Sequence, residues 1–161
     1  MTTLDELAAR VRTLEDIEAI KRLKAQYCAY CDDGYDADGL ATLFTDDAVW
    51  DGGEVFGRAE GREKIRRFLG AAPRVLPFAR HYVTNPLIEV DGDEATARWL
   101  LLEPCTLAGE SDPAKAMWLA ASYLDRCVRT PEGWKFHHVT ISPAFYTPYD
   151  GEGWARQALQ S

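Results

Sequence analysis

The sequence predicts an α+β domain, on three observations. Helix-start signals and apolar residues at helical spacing crowd the first third of the chain. Four β-type runs separated by turn signals fill the part after Arg80, and the two patterns do not alternate. Helices followed by an antiparallel meander predict a curved sheet wrapped around the N-terminal helices. The 161 residues are read as one domain, 1–161, long enough to bury roughly two thirds of the surface of the unfolded chain.

Thr3 with Glu6, and Thr13 with Asp16, match the capping-box spacing, while Leu4, Leu7, Val11 and Leu14 recur at helical intervals. Two helices, or one bent helix, are expected over residues 3–33. Asp36 and Asp38 precede LATLF, a short helix expected to end near Thr45, and AVW and EVFG read as brief strands around the turn DGG. A third helix follows at GREKIRRFLGAA. The meander then comprises HYVTNPLIEV, ATARWLLLEPC, MWLAASYLDRCVR and WKFHHVTIS, with turns at DGDE and TPEG and a polar loop at GESDPAK. The tail PAFYTPYDGEGWARQALQS is expected to be ordered coil with a short helix.

A net charge of −8 disfavours nucleic-acid phosphates and anionic lipid, which are bound through Lys and Arg patches that this sequence lacks. The expected partner is a small apolar molecule, with no nucleic acid and no membrane. The opening MTTLDELAARV carries acids and no signal-type apolar run, so a cytoplasmic protein with four reduced cysteines is expected.

One stretch, YCAYCDDGYDADGL (27–40), concentrates candidate chemistry. Cys28 and Cys31 have CxxC spacing but fall mid-helix, where no helix N-terminus stabilises a thiolate, and no second clustered pair completes a zinc site. They read as packing residues. The acids do not fit a calcium loop, since Gly34 interrupts the alternation before Gly39 and the twelfth position is Thr45. No metal and no cofactor are therefore expected.

Asp36 and Asp38 have a structural explanation as helix caps. Asp32 and Asp33 fall instead at a helix C-terminus, where the dipole disfavours a negative charge by about 0.3–1 kcal/mol. At about 100° per residue, Asp32 borders the face of Ile20, Leu23, Tyr27 and Cys31, and Asp33 lies nearly opposite it. Asp32 alone still reads as a partly exposed loop acid, and a partner is needed. His81 opens the first meander strand, with Val83, Asn85 and Leu87 expected on its face. His137 and His138 alternate across the last strand, so at most one of them shares a cavity with that face.

LATLFTDDAVWDGG after an acid-ended helix, then GREKIRRF, RHYVTN and EGWKFHHV, resembles the SnoaL-like branch of the nuclear-transport-factor-2-like superfamily over nearly the whole chain. HYVTN and FYTP are similar to segments of hexachlorocyclohexane dehydrochlorinase, with bile-acid dehydratase and scytalone dehydratase more distant. The resemblance implies a cone: a strongly curved, mixed, mostly antiparallel sheet closed by helices around one deep apolar pocket. It also implies a cofactor-free His–Asp dyad, with the His at His81. Register through Ile20, Leu23 and Tyr27 puts the acid at Asp32, whereas counting back from Leu40 gives Asp33. With Tyr35 as the extra loop residue, the choice is Asp32.

The same resemblance places Tyr27 and Trp50 in the pocket, suggests Tyr146 and Trp154 at its mouth, and implies a homodimer or homotrimer joined through the outer sheet face. Phe56, Trp99 and Trp118 are expected as further walls and Asn85 as a polar contact, although each alone also reads as packing. The chemistry such a dyad permits is elimination or isomerisation begun by proton abstraction, as in a dehydratase or dehydrohalogenase. The competing reading is a non-catalytic ligand-binding or structural cone, since this fold hosts both.

Overall fold

A reciprocal cap starts the longest element of the computed structural model, which describes residues 2–109 and 114–151. The Thr3 hydroxyl accepts the Glu6 backbone N–H at 3.2 Å, and the Thr3 N–H donates to the Glu6 carboxylate at 2.8 Å. Helix α1 then runs unbroken through Leu4–Asp32. Thr13 does not start a second helix, because its hydroxyl donates at 3.2 Å to the Ala9 carbonyl one turn back.

Gly34 (φ 69°) and Tyr35 (φ 58°) reverse the chain through the left-handed region. The Asp36 carboxylate accepts the Gly39 N–H at 3.1 Å and caps α2 (Ala37–Thr42). Asp38, expected to share in capping, instead accepts from Arg66 at 2.7 Å. Helix α2 stops three residues short of the expected Thr45, because the Phe136 N–H takes the Leu43 carbonyl at 2.8 Å and draws the chain into a sheet.

Strand β1 (Phe44–Asp51) therefore contains the expected AVW but starts earlier. EVFG is not a strand: α3 (Gly53–Phe56) is one helical turn. The Asp51 carboxylate takes the Gly53 N–H at 2.9 Å, Gly53 adopts φ 62°, and the Gly57 N–H closes the turn on the Gly53 carbonyl. These local bonds override the β preference of Val55 and Phe56. Strand β2 (Arg58–Glu60), α4 (Arg62–Gly70), a 3-10 turn (Ala72–Arg74) and the short β3 (Phe78–Ala79) follow.

The four meander strands form as expected: β4 (Tyr82–Asp91), β5 (Glu94–Leu107), β6 (Lys115–Thr130) and β7 (Gly133–Pro148). PAFYTP belongs to β7 rather than to coil; Trp154 and the expected tail helix lie outside the described residues. The sheet order is β2-β1-β7-β6-β5-β3, with β4 also on β5, and β1 and β7 are parallel. Register shifts interrupt β4–β5 beside Asn85 and β6–β7 beside Ala120 and Arg126. Such bulges bend a strand and raise its twist, which curves the sheet.

On β5, residues 95, 97, 99, 101, 103 and 105 are buried, and on β6 the odd positions 117–127 are, so one sheet face turns toward the buried side of α1. Between them sits an ion pair. Lys24 Nζ lies 3.1–3.2 Å from the Asp125 carboxylate and 3.3 Å from the centroid of the Tyr123 ring, and Trp99 Nε1 donates to Asp125 at 2.8 Å. Both charges are buried. Burial pushes the Asp125 pKa up, against Lys24 and Trp99, which favour its charged form.

Removing one partner leaves a buried charge without compensation. Asp125→Ala is expected to lose about 3–5 kcal/mol in chemical denaturation. Lys24→Met with Asp125→Asn, which keeps an acceptor for Trp99, should recover most of that loss. Equal stability of Asp125→Ala and the native protein would contradict the pairing.

Candidate functional site

Asp32 is the last residue of α1, and the chain between β3 and β4 brings His81 onto it. Asp32 Oδ1 lies 2.8 Å from His81 Nδ1 and accepts the His81 backbone N–H at 3.0 Å. Arg80 Nη1 stands 3.6 Å from the other carboxylate oxygen. These contacts offset the unfavourable end of the helix dipole. Burial opposes the charged carboxylate, but the ring and backbone hydrogen bonds from His81, with the Arg80 charge, outweigh it and hold the Asp32 pKa below the usual range. Asp33 is exposed, with its backbone N–H bonded to the Ala29 carbonyl, so the acid that meets His81 is Asp32.

An ionised carboxylate only accepts hydrogen bonds, so Nδ1 carries the proton shared with Asp32. That leaves Nε2 facing inward. Its neighbour is a residue the sequence reading missed: Glu103 Oε2 lies 3.4 Å away, and both side chains are only 4% exposed. Burial raises the Glu103 pKa, the His81 charge opposes that, and the nearby Asp32 adds to the rise. The signal was present in β5, where Glu103 takes an inward position in an otherwise apolar alternation.

The trio has a simple proton balance. With Asp32 ionised, a neutral His81 beside a protonated Glu103 has the same net charge as a cationic His81 beside an ionised Glu103. The two forms differ in the position of one proton, which lies across a 3.4 Å gap. Two groups able to exchange one proton therefore stand side by side.

His81 and Glu103 open onto a cavity of about 530 Å³, large enough for a drug-sized ligand. Tyr27, Trp50 and Phe56, expected in the pocket, all line it, as does Tyr146 from β7. The Tyr27 oxygen accepts from Trp50 Nε1 at 2.9 Å, so its hydroxyl is engaged within the protein. Tyr35 also lines the cavity, with its ring edge-on to His81 at 6.2 Å between centroids. The rest is largely apolar: Phe68, Leu69, Leu119 and Ile141 are among the walls.

Three expected contacts lie elsewhere. Trp99 faces inward but bonds Asp125 beside Lys24, where α1 fills the space. Trp118 sits at an even position of β6, off the buried face, with its ring 6.5 Å from that of Tyr149. Asn85 is exposed with φ 55° at the β4 bulge, which breaks the alternation counted from His81. Neither His137 nor His138 lines the cavity: His137 Nδ1 lies 3.3 Å from the Thr45 hydroxyl, and His138 lies near Asp51 and Arg58.

Among the described residues, no cluster of three or more His, Cys, Asp or Glu side chains could hold a metal, and no helix is long and apolar enough to cross a membrane. Cys28 and Cys31 are buried free thiols in α1, and burial pushes the Cys28 pKa up to about 12. Neither has thiolate character at neutral pH.

Residues 12–140 match the SnoaL-like domain family. An uncharacterised protein of Mycobacterium tuberculosis is 32% identical over 133 residues, which are 82% of this chain and 88% of that one. Among solved structures, a hexachlorocyclohexane dehydrochlorinase from Novosphingobium barchaimii superposes with a TM-score of 0.72 at 25% identity, covering 97% of this chain and 100% of that one. A candidate scytalone dehydratase from Novosphingobium aromaticivorans gives a TM-score of 0.74 at 24% identity, over 91% of this chain and 97% of that one, a likeness of fold. The α+β fold, a long N-terminal helix against a mixed, mostly antiparallel sheet, agrees with these matches, and the chain belongs to the SnoaL-like domain family, with the nuclear-transport-factor-2-like fold.

Proposed function

We propose that this protein is a cofactor-independent lyase that removes a proton and a hydroxyl-type leaving group from a small, apolar, cyclic substrate. The observation that supports it most is the placement of His81 Nε2 and the Glu103 carboxyl 3.4 Å apart on the wall of one apolar cavity, with Asp32 behind the ring. The similarity to a hexachlorocyclohexane dehydrochlorinase supports elimination as the reaction class.

In this reading His81 Nε2 takes the proton from carbon, and the C–H electron pair becomes the new double bond. The bond to the leaving group breaks with its own pair, and protonated Glu103 supplies the proton that makes hydroxide leave as water. His81 then returns its gained proton to the Glu103 carboxylate, restoring the starting state. Asp32 fixes the ring and stabilises its transient positive charge, an effect strengthened where water is excluded. If the His81 proton returns to a different carbon, the same groups carry out an isomerisation. A container for apolar ligands is the competing class, and turnover separates the two.

His81→Gln is expected to lower turnover by about 10²–10⁴ on a hydroxylated ring substrate while ligand affinity stays within a few-fold. Asp32→Asn should act in the same direction. Binding of hydroxylated and halogenated rings with no conversion of any of them would overturn the catalytic reading. Glu103→Gln should slow loss of hydroxide more than loss of chloride, since chloride needs no proton; equal losses would remove Glu103 as the donor.

Glu103 also makes a pH prediction. Its folded pKa is raised, so between the unfolded and folded values the native state binds a proton that the unfolded state has released, and stability falls as pH rises. Glu103→Gln abolishes that slope. Its melting temperature relative to the native protein should therefore climb as pH rises above the ordinary carboxyl value of 4.5. A difference that stays flat or falls would contradict a carboxyl whose proton affinity burial raises.

A further inference from the structure

Helix α1 carries two apolar stripes on opposite sides. Ile20, Leu23, Tyr27 and Cys31 face the core, whereas Leu4, Leu7, Val11 and Leu14 point about 180° away at about 100° per residue. The second stripe is bare: Leu4 is 81%, Leu7 46%, Val11 52% and Leu14 63% exposed. Every residue of α1 before Asp16 is exposed, so the first three turns stand clear of the body. The overhang ends at a clamp, where Arg129 Nη1 and Nη2 grip the Asp16 carboxylate at 2.7 and 2.8 Å and Trp134 Nε1 donates to it at 3.0 Å.

We propose that this overhang pairs in parallel with the same segment of a second copy, as a two-heptad coiled coil. The spacing of the stripe is 3-4-3, which makes Leu4 and Val11 a positions and Leu7 and Leu14 d positions, the pattern that seats one helix on a like helix. Arg10 then falls at g and Glu15 at the following e. Among the described residues neither is paired within its own chain. In a parallel pair Arg10 of each copy faces Glu15 of the other, whereas an antiparallel pair brings the two Arg10 side chains together.

Geometry permits the pairing because the stripe points away from the body, so the two bodies lie on the outside of the helix pair without collision. Two heptads would not hold together as free peptides. Here the cap at Thr3 and the clamp at Asp16 preform the helix, which reduces the ordering cost of association. The contact is small, so the dimer is weak and depends on concentration.

Sedimentation equilibrium of the full chain over two decades of concentration tests this. The weight-average mass should rise toward twice the chain mass. Leu7→Glu with Val11→Glu should raise the dissociation constant at least tenfold, with the melting temperature at low concentration unchanged. Arg10→Glu and Glu15→Arg should each weaken the dimer, and the two together should restore it. Leu4→Cys should form a disulfide-linked dimer under mild oxidation, because the two positions are adjacent in a parallel pair and about 15 Å apart in an antiparallel one. A monomer throughout overturns the proposal. So does an assembly unaffected by the Leu7 and Val11 substitutions, as one formed through the outer sheet face would be, or failure of the charge exchange or of the crosslink.

Discussion

The contact between Asp32 and His81 is the constraint on which the pocket depends. A carboxylate at the C-terminal end of a helix is unfavourable by itself, and here one residue from the sheet side supplies both a backbone and a ring donor to the same oxygen. Those two bonds fix where the chain enters β4 and which way the imidazole turns. Local structure and site geometry are therefore set by one interaction, and the tautomer that leaves Nε2 facing the cavity follows from it.

In the proposed reaction Glu103 gives this pair its chemical direction. A lone His–Asp dyad in an apolar hollow offers a base and no proton for a departing group. In the proposed reaction the inward carboxyl of β5 is the source of that proton, and burial makes its charged form costly. The Lys24–Asp125 pair elsewhere in the core is arranged differently: its two charges face each other, with a Trp99 donor to the carboxylate, and do not line the cavity. Glu103 and Asp125, both buried, thus have different partners: the first stands beside a histidine on the cavity wall, the second is paired with a lysine in the core.

Much of this was legible in the chain. The meander strands, the acid-ended helix and the Asp32 register follow from periodicity, turn residues and resemblance, whereas the left-handed conformations of Gly34 and Tyr35 that reverse the chain after that helix are visible only in the structure. The errors have local causes. A bulge at Asn85 defeats alternation, and a helical turn closed by Asp51 and Gly53 defeats the β preference of Val55 and Phe56. Trp99 obeys the inward parity but meets α1 rather than the cavity, because parity selects a face and says nothing about what fills the space above it. The apolar residues at 4, 7, 11 and 14 were visible as a helix signal, yet only the structure shows them turned away from the core.

Nitrogen NMR of the His81 imidazole tests the central claim most directly. With Asp32 as its acceptor, Nδ1 should carry the single proton of the neutral ring and leave Nε2 bare. A neutral ring carrying its proton on Nε2, or a ring exchanging freely between tautomers, would contradict the account.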